Sequence, residues 1–379
     1  MTSELSSLCS YAKGKVSVDT LSKRNYVSTE NMMPNKGGIV DAGALPSAQY
    51  TQQYIKDDIL VSNIRPYFKK IWMADDDGGC SNDVLVFRAD RGCDSTFLYY
   101  ILANDAFFNY ASATSKGTKM PRGDKTAIMQ YKVPCFNYET QLRIGKLLRS
   151  IDDRIAVNKK INDNLQQQLF SLYENMATAS PCLKEYTLSI LCDFQEGYVN
   201  PPQTHPEYFD GEVKWLRAVD INESFIIETS RTLTKAGFES AKKSALLFEP
   251  NTIAISKSGT IGRLGIIADY MCGNRAVINI APHDTNMLAF IYCFLKSKQR
   301  EFPDMAVGSV QKNLYVSLLE PLSVSIPDNE SLTAFNAVGA SILGMIHNNC
   351  VENTDLANLR DTILPKLMSG EIDVSSVLL

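Results

Sequence analysis

The sequence predicts an α+β protein built twice over: two globular α/β units in tandem, each followed by one long helix. The two helices are expected to pair with each other as a coiled coil. Three observations carry this expectation. The chain repeats itself at a fixed interval, two stretches alternate apolar residues in heptads, and each heptad stretch follows short β-rich runs punctuated by turns.

The interval comes first, because it divides the chain. Asn158 recurs as Asn349 (349 − 158 = 191) and Asn162 as Asn353 (353 − 162 = 191). Leu165 and Leu356, Leu172 and Ile363, and the upstream pairs Gly117-Thr118 and Gly308-Ser309 keep the same offset. It is close to half of the 379 residues, as a tandem duplication requires. The boundaries that follow are a first globular unit over 1–136, a long helix over 137–178, a second unit over 179–328, a second helix over 329–370 and a tail over 371–379.

Within the first helix, apolar residues fall at Ile144, Leu148, Ile151 and Ile155, then at Leu165, Leu169, Leu172 and Met176. Asn158 and Asn162 fill the gap, so that steps of four and three alternate along a heptad seam. In the second, Ile342, Ile346, Asn349, Asn353, Leu356, Ile363 and Leu367 occupy the matching seam. Arg360 breaks it opposite Leu169, and Gly339 opposite Leu148. Asn inside a coiled coil lowers stability but fixes register and partner, so an Asn layer near the middle of both helices favours their pairing with each other. The plainer alternative is two core helices of an ordinary globular protein.

The globular stretches repeat more weakly. Residues 54–87 and 246–280 each read as a strand ending in Ser (Ser62, Ser256), a basic or Gly-rich turn, a second strand, and a Gly-led turn into a third. A helical stretch follows in each, STFLYYILANDAFFNYA and NMLAFIYCFLKSKQREF, and then a polar loop led by Gly117-Thr118 or Gly308-Ser309. Short strands with a few helices make an α+β unit.

Composition narrows the function. A content of 45% hydrophobic and 21% charged residues is that of a soluble globular protein. No apolar run approaches the roughly 18 residues of a membrane span, and the N-terminus lacks the apolar core of a signal peptide, so a cytoplasmic location is expected. The nine cysteines are scattered, with no C-x-x-C pair, and the three histidines, His205, His283 and His347, lie near no cysteine cluster. Reduced buried thiols are expected, not a disulfide framework or a metal site. GTIGRLG is spaced G-x-x-G-x-x-G and is not a dinucleotide fingerprint, and no G-K-[ST] ends a phosphate loop.

With the duplication in place, the chain resembles the DNA-specificity subunits of type I restriction-modification systems. The resemblance is carried by NYVSTENMMPNKGGI (25–39), DDILVSNIRPYFKKIW (57–72), GGCSNDVLVF (78–87), EGYVNPPQTHPEYFDGEVKWLRAVDI (196–221) and LPKLMSGEID (364–373). It implies two target recognition domains that each read one half of a split, asymmetric double-stranded DNA target. It implies a pseudo-twofold protein whose helices pair as an antiparallel coiled coil, space the domains and dock two methyltransferase subunits, with restriction/motor subunits completing the complex. It implies no catalytic centre and no cofactor in this chain, S-adenosylmethionine belonging to the partner methyltransferase. A helix of about 38 residues spans roughly 57 Å, enough to hold two reading heads about one duplex turn apart.

A net charge of −4 hides local basic excess. In the first domain the turn SNIRPYFKK supplies Asn63, Arg65, Tyr67, Lys69 and Lys70. The loop SKGTKMPRGDK adds Lys116, Thr118, Lys119, Arg122 and Lys125 around two glycines. In the second domain the equivalents are Lys257, Ser258, Thr260 and Arg263 on one turn and Ser309, Gln311, Lys312 and Asn313 on the other, with Asn274 and Arg275 from CGNRAV. Arg, Lys, Asn and Gln on exposed loops are the residue types that hold phosphates and read base edges. Expected helix contacts are Ile151, Ile155, Asn158, Asn162, Leu165 and Leu172 with Ile342, Ile346, Asn349, Asn353, Leu356 and Ile363.

Two competing functions fit less of the sequence. Asn200-Pro201-Pro202 resembles the start of an amino-methyltransferase loop, but Gln203 stands where an aromatic residue must stack the extruded base, and no F-x-G-x-G cofactor loop is present. A protein-only coiled-coil adaptor explains the helices but leaves the duplicated basic loops without a role.

Overall fold

The computed structural model describes residues 2–179, 184–309 and 311–374. The chain divides into two compact units, Met1–Arg154 with Leu356–Leu379, and Ile155–Asp355. Both long helices are continuous, Tyr138–Ala179 and Asn329–Ser369, and each gives one half to each unit.

In the first unit, Cys9–Tyr11, Val84–Ala89, Ile59–Ser62 and Ile71–Met73 form an antiparallel four-stranded sheet in that order. The sequences ILVS and VLVF are apolar throughout because both faces of these strands are covered. Ile59, Val61, Leu85 and Phe87 face the helices, while Leu60, Val84 and Val86 face a smaller cluster with Val27, Tyr54 and Cys80. The second sheet runs Lys15–Ser17, Tyr50–Tyr54, Gly78–Cys80 and Tyr26–Val27, its last pair parallel. STFLYYILANDAFFNYA forms two helices, Ser95–Ala103 and Asp105–Ala113. Asp94 caps the first through Phe97 N–H, and Asn104 ends it and caps the second. The ribbon Thr2–Glu4 with Lys132–Pro134 ties the start of the unit to the entry of the first long helix.

The second unit repeats this plan. Cys192–Glu196, Val277–Pro282, Ile253–Ser256 and Leu264–Ile267 stand in the same order, with Phe225–Ile226 added as a parallel fifth strand. Thr232–Leu233, Phe209–Leu216, Met271–Gly273 and Leu247–Phe248 make the second sheet, and Lys184–Thr187 pairs with Ser323–Ile326 as the ribbon. NMLAFIYCFLKSKQREF forms Leu288–Lys298 and a short turn of helix at Phe302–Met305.

The long helices run antiparallel within each unit. In the second, Asn158 Nδ2 donates to Asn353 Oδ1 at 3.0 Å and to Glu352 Oε2 at 2.8 Å, and Asn349 Nδ2 donates to Asn162 Oδ1 at 2.8 Å. Ile342, Ile346 and Leu169 are buried here, and Leu165 packs against them. In the first unit, Arg360 meets Asp152 at 2.6 Å, and Tyr100 O–H donates to the other oxygen of the same carboxylate. The residue that breaks the heptad in sequence therefore has a built partner. Against the desolvation of its site, Asp361 and Asp152 hold the Arg360 guanidinium firmly charged. Ile151 is buried, Leu367 is fully buried, and Ile155, Leu356 and Ile363 are half-buried.

Leu172 stays 41% exposed in a groove it lines with Phe335 and Val338 of the second long helix, and the adjacent Tyr173 takes the buried position, its ring meeting Phe290 and Phe335. From Leu165 the buried positions step by four and four, because the helix face here turns toward the globular sheet and its helix. Eight cysteines are free thiols among the described residues, Cys182 lying outside them. Burial pushes the Cys80 thiol up to about 12.

Asn349→Leu is expected to lose about 1–3 kcal/mol in urea unfolding, because Asn162 keeps a buried acceptor without its donor. The double variant Asn162→Leu/Asn349→Leu should recover part of that loss, and a strictly additive pair would show that the two side chains are not coupled.

Candidate nucleic-acid interface

The expected binding loops of the first unit are laced together by backbone. The turn after Ile59–Ser62 carries Arg65 and Lys69 in left-handed conformation, with φ of 51° at both, on either side of the helical turn Pro66–Phe68. Pro66 is buried, and Tyr67 and Phe68 stand out from it, exposed. In the other loop, Lys116 and Arg122 exchange both backbone hydrogen bonds, and Gly117 makes the reversal at φ +95°. Arg65 N–H then donates to Pro121 O at 2.8 Å, and Gly123 N–H to Asn63 O at 3.1 Å. A Cβ at Gly123 would fall 2.8 Å from Ile128 Cδ1 and 2.9 Å from Asn63 Oδ1, so a larger residue here would displace the side chains that pack between the loops.

The second unit builds the same lacing from different side chains. Val307 and Asn313 exchange both backbone hydrogen bonds, and Leu314 N–H donates to Lys257 O at 2.9 Å. Gly308 takes φ +141°, where an added Cβ would overlap Gln311 O. The neighbouring turn closes on Ser256, whose Oγ accepts from Arg263 N–H at 2.8 Å and whose carbonyl accepts from Gly262 N–H. Ser258, Gly259 and Thr260 form its tip.

Burial and charge sort the expected residues. Lys119 and Thr118 are exposed on the first loop, and Ser309, Gln311 and Lys312 on the second, together with Arg275 and Thr260. Lys125 is exposed, its amine 5.9 Å from the Tyr11 ring centre. Among the described residues, Lys119, Lys312, Arg263 and Arg275 have no ion-pair partner within the chain. The others are partly committed. Lys116 pairs with Asp124 at 2.5 Å, and its hydrogen bond holds that carboxyl below the ordinary aspartate range. Arg122 meets Asp83 at 3.1 Å. Lys69 and Lys36 share Asp105 at 2.8 and 2.9 Å; against partial desolvation, which pushes the other way, they hold this carboxyl down. Lys70 donates to Thr29 O at 2.6 Å, and burial lowers its ammonium below the usual lysine value.

Three expected residues act as supports in this structure. Lys257 is 13% exposed, paired with Glu196 at 2.8 Å and lying 4.8 Å from the Tyr315 ring centre. Asn274 turns its own loop, accepting from Ala276 N–H at 3.0 Å. Asn63 is buried, with its Oδ1 unpaired against Gly123.

One cluster escapes the sequence pattern. Arg231 lies 4.2 Å from the Phe209 ring centre and 6.0 Å from that of Trp215, and Arg217 lies 5.6 Å from Trp215 on the same indole. Basic residues beside the lone Trp of this unit were the available signal. The Asn-Pro-Pro stretch belongs to the same cluster. Gln203 Oε1 accepts from Arg231 at 3.0 Å, and Val199 O accepts from Trp215 Nε1 at 2.7 Å. Val199 and Pro201 are buried, while Tyr198 and Asn200 face outward. These contacts make the stretch a scaffold for the arginines.

Comparison with known proteins agrees with this architecture. Residues 1–167 and 183–354 match the family model described as type I restriction modification DNA specificity domain. The specificity subunit of the type I restriction enzyme MjaIX of Methanocaldococcus jannaschii is 24% identical over 308 residues, 76% of this chain and 71% of that one. The HindI specificity subunit of Haemophilus influenzae is 27% identical over 176 residues, 45% of this chain and 38% of that one. In fold, the chain is similar to the S subunit of a type I restriction-modification system from M. genitalium, with a TM-score of 0.57 at 18% identity, covering 97% of this chain and 96% of the other.

The pair Lys119→Ala and Arg122→Ala is expected to weaken duplex binding and to lower the slope of log affinity against log salt by about one to two, at roughly 0.9 for each phosphate no longer neutralised. Binding that is unaltered across a salt titration would remove the 116–123 loop from the interface.

Proposed function

This chain belongs to the type I restriction-modification DNA specificity family and is a DNA sequence-recognition subunit, and from that membership we propose a division of labour along it. Residues 1–136 and 179–328 are two target recognition domains, each reading one half of a split target. The helices over 137–178 and 329–370 are the spacer on which two methyltransferase subunits dock, and residues 371–379 follow as a C-terminal tail. The chain carries no catalytic centre: it tells its partners where to work, in the cytoplasm, and S-adenosylmethionine is bound by the methyltransferase. Restriction/motor subunits complete the assembly that cuts unmodified DNA.

The observation that supports this best is the repeated loop lacing. Lys116–Arg122 against Asn63 and Val307–Asn313 against Lys257 are the same backbone device, presenting different side chains. Two equivalent heads with unlike faces suit a bipartite target whose halves differ, in which backbone contacts position each head and exposed side chains read bases. Arg65, Lys119 and Arg122 face one half and Arg263, Arg275, Gln311 and Lys312 the other, as the side chains that hold phosphates and reach base edges. An adaptor that binds protein alone would not need this exposed basic set.

Sequencing of modified bases in cells with and without the gene tests the reading. A split, asymmetric adenine-methylation motif should disappear on deletion, and the purified chain alone should transfer no methyl group. An unchanged methylome sinks the proposal.

A further inference from the structure

We propose that Tyr67 and Phe68 form an aromatic wedge that stacks on, and opens, a base step in the half-site met by the first domain. The inference rests on the reading of that domain as a DNA reader, and deepens it by naming what the turn does to the duplex.

The rings themselves come first. Tyr67 is 52% and Phe68 39% exposed, and their centres lie 4.8 Å apart at the tip of the turn. Two adjacent large aromatic faces held in water mark a surface that meets something. The backbone beneath them is the second observation. Nine non-glycine residues among those described have positive φ, and four of them, Asn35, Lys36, Arg65 and Lys69, lie in two interlocked segments under these rings. Asn35 N–H donates to Phe68 O and Lys36 N–H to Lys69 O, both at 2.8 Å. Left-handed conformations are costly for residues with a Cβ and persist where the surroundings over-determine them, most often at functional sites. Pro66 is buried below the tip, and Lys36 and Lys69 close on one carboxylate, Asp105. The strain thus holds two rings outward on a fixed platform.

Charge names the occupant. Lys70 Nζ lies 5.9 Å from the Phe68 ring centre, and Arg65 N–H ties the turn to the loop that carries exposed Lys119. Cations around flat apolar faces fit a ligand that alternates phosphates with planar bases. Apolar side chains that enter between base steps unstack them and bend the duplex. The equivalent turn of the second domain ends in Ser258, Gly259 and Thr260, with open space around Gly259 and no ring. The wedge is therefore one-sided, and only one half of the target is opened.

The full chain, assembled with its methyltransferase, is placed on the duplex found by modified-base sequencing, with 2-aminopurine at successive steps other than the methylated adenine. Fluorescence should rise at a step in one half-site only, as a base leaving its stack gives. Tyr67→Ala with Phe68→Ala should abolish the rise and weaken binding by roughly tenfold or more, the scale of one base stack, whereas Tyr67→Phe with Phe68→Tyr should keep both. If no step responds in the unmutated complex while Lys119→Ala still weakens binding, the wedge is overturned and the reading of the domain stands. If the alanine pair leaves DNA binding intact but loses the methyltransferase, the patch is a protein contact and the wedge is again overturned. Binding insensitive to both the charge and the ring variants takes down the reading itself, and the wedge with it.

Discussion

Each unit closes its hydrophobic core with residues from both long helices, and the rest of the structure depends on that closure. In the first unit, Ile144 and Leu148 share a cluster with Leu364, Leu367 and Val374 from the far end of the chain. In the second, Leu169 and Tyr173 share one with Phe335, Ile342 and Ile346. A fully buried leucine contributes about 1.5–3 kcal/mol relative to an exposed one. The entropy of closing so long a loop grows only slowly with its length, so these contacts outweigh it. Gly370, at φ +77°, ends the second helix and turns Ile372 and Val374 back onto the first unit's core. Neither domain's core is complete on its own stretch of sequence.

Closure by two similar helices raises the question of register, and polar residues in the seam answer it. The 191-residue repeat (349 − 158 = 191) carries the Asn158–Asn353 pair onto Asn349–Asn162, so the layer reads the same from either helix. A shift along the seam would leave buried amides facing aliphatic groups, at the cost of unmade hydrogen bonds. The flanks are not symmetric. Asp152 and Arg360 of the first unit stand where the second has Leu343 and Leu169 (343 − 152 = 360 − 169 = 191). An ion pair in such a position adds little net stability over an aliphatic pair, but it penalises any pairing that leaves one charge alone.

How much of this was readable in advance follows from the distance over which each signal acts. The heptads, the strand–turn–strand order and the Gly-led loops are local patterns, and the long helices and most strands stand where those patterns put them, whereas Gly78–Cys80, read as a turn, is a strand because it pairs on both sides in the second sheet. Tyr173, beside Leu172, is the more deeply buried of the two because the depth of adjacent helix positions is set by the neighbouring sheet and helix, which the heptad does not encode. Charge was harder still. Whether a loop lysine is free depends on carboxylates far away in sequence: Asp83 for Arg122, Glu196 for Lys257, Asp105 for Lys69. The Arg231–Trp215–Phe209 stack sets an arginine beside one strand against two rings of that strand, and no short motif announces it.

The duplication has kept backbone and let side chains go. The same pair of hydrogen bonds joins Lys116 to Arg122 and Val307 to Asn313, and the same cross-loop bond runs from Gly123 to Asn63 and from Leu314 to Lys257. Yet a cation at one site is an aliphatic or amide group at the other, and the aromatic tip of one turn is a Ser-Gly-Thr tip in its counterpart. Backbone hydrogen bonds do not depend on side-chain identity, so the lacing sets where a loop sits while leaving its outward residues free to differ. Direct readout depends only on those outward residues. A scaffold with this separation lets the outward residues of one unit change without disturbing the backbone that holds them or the loops of the other.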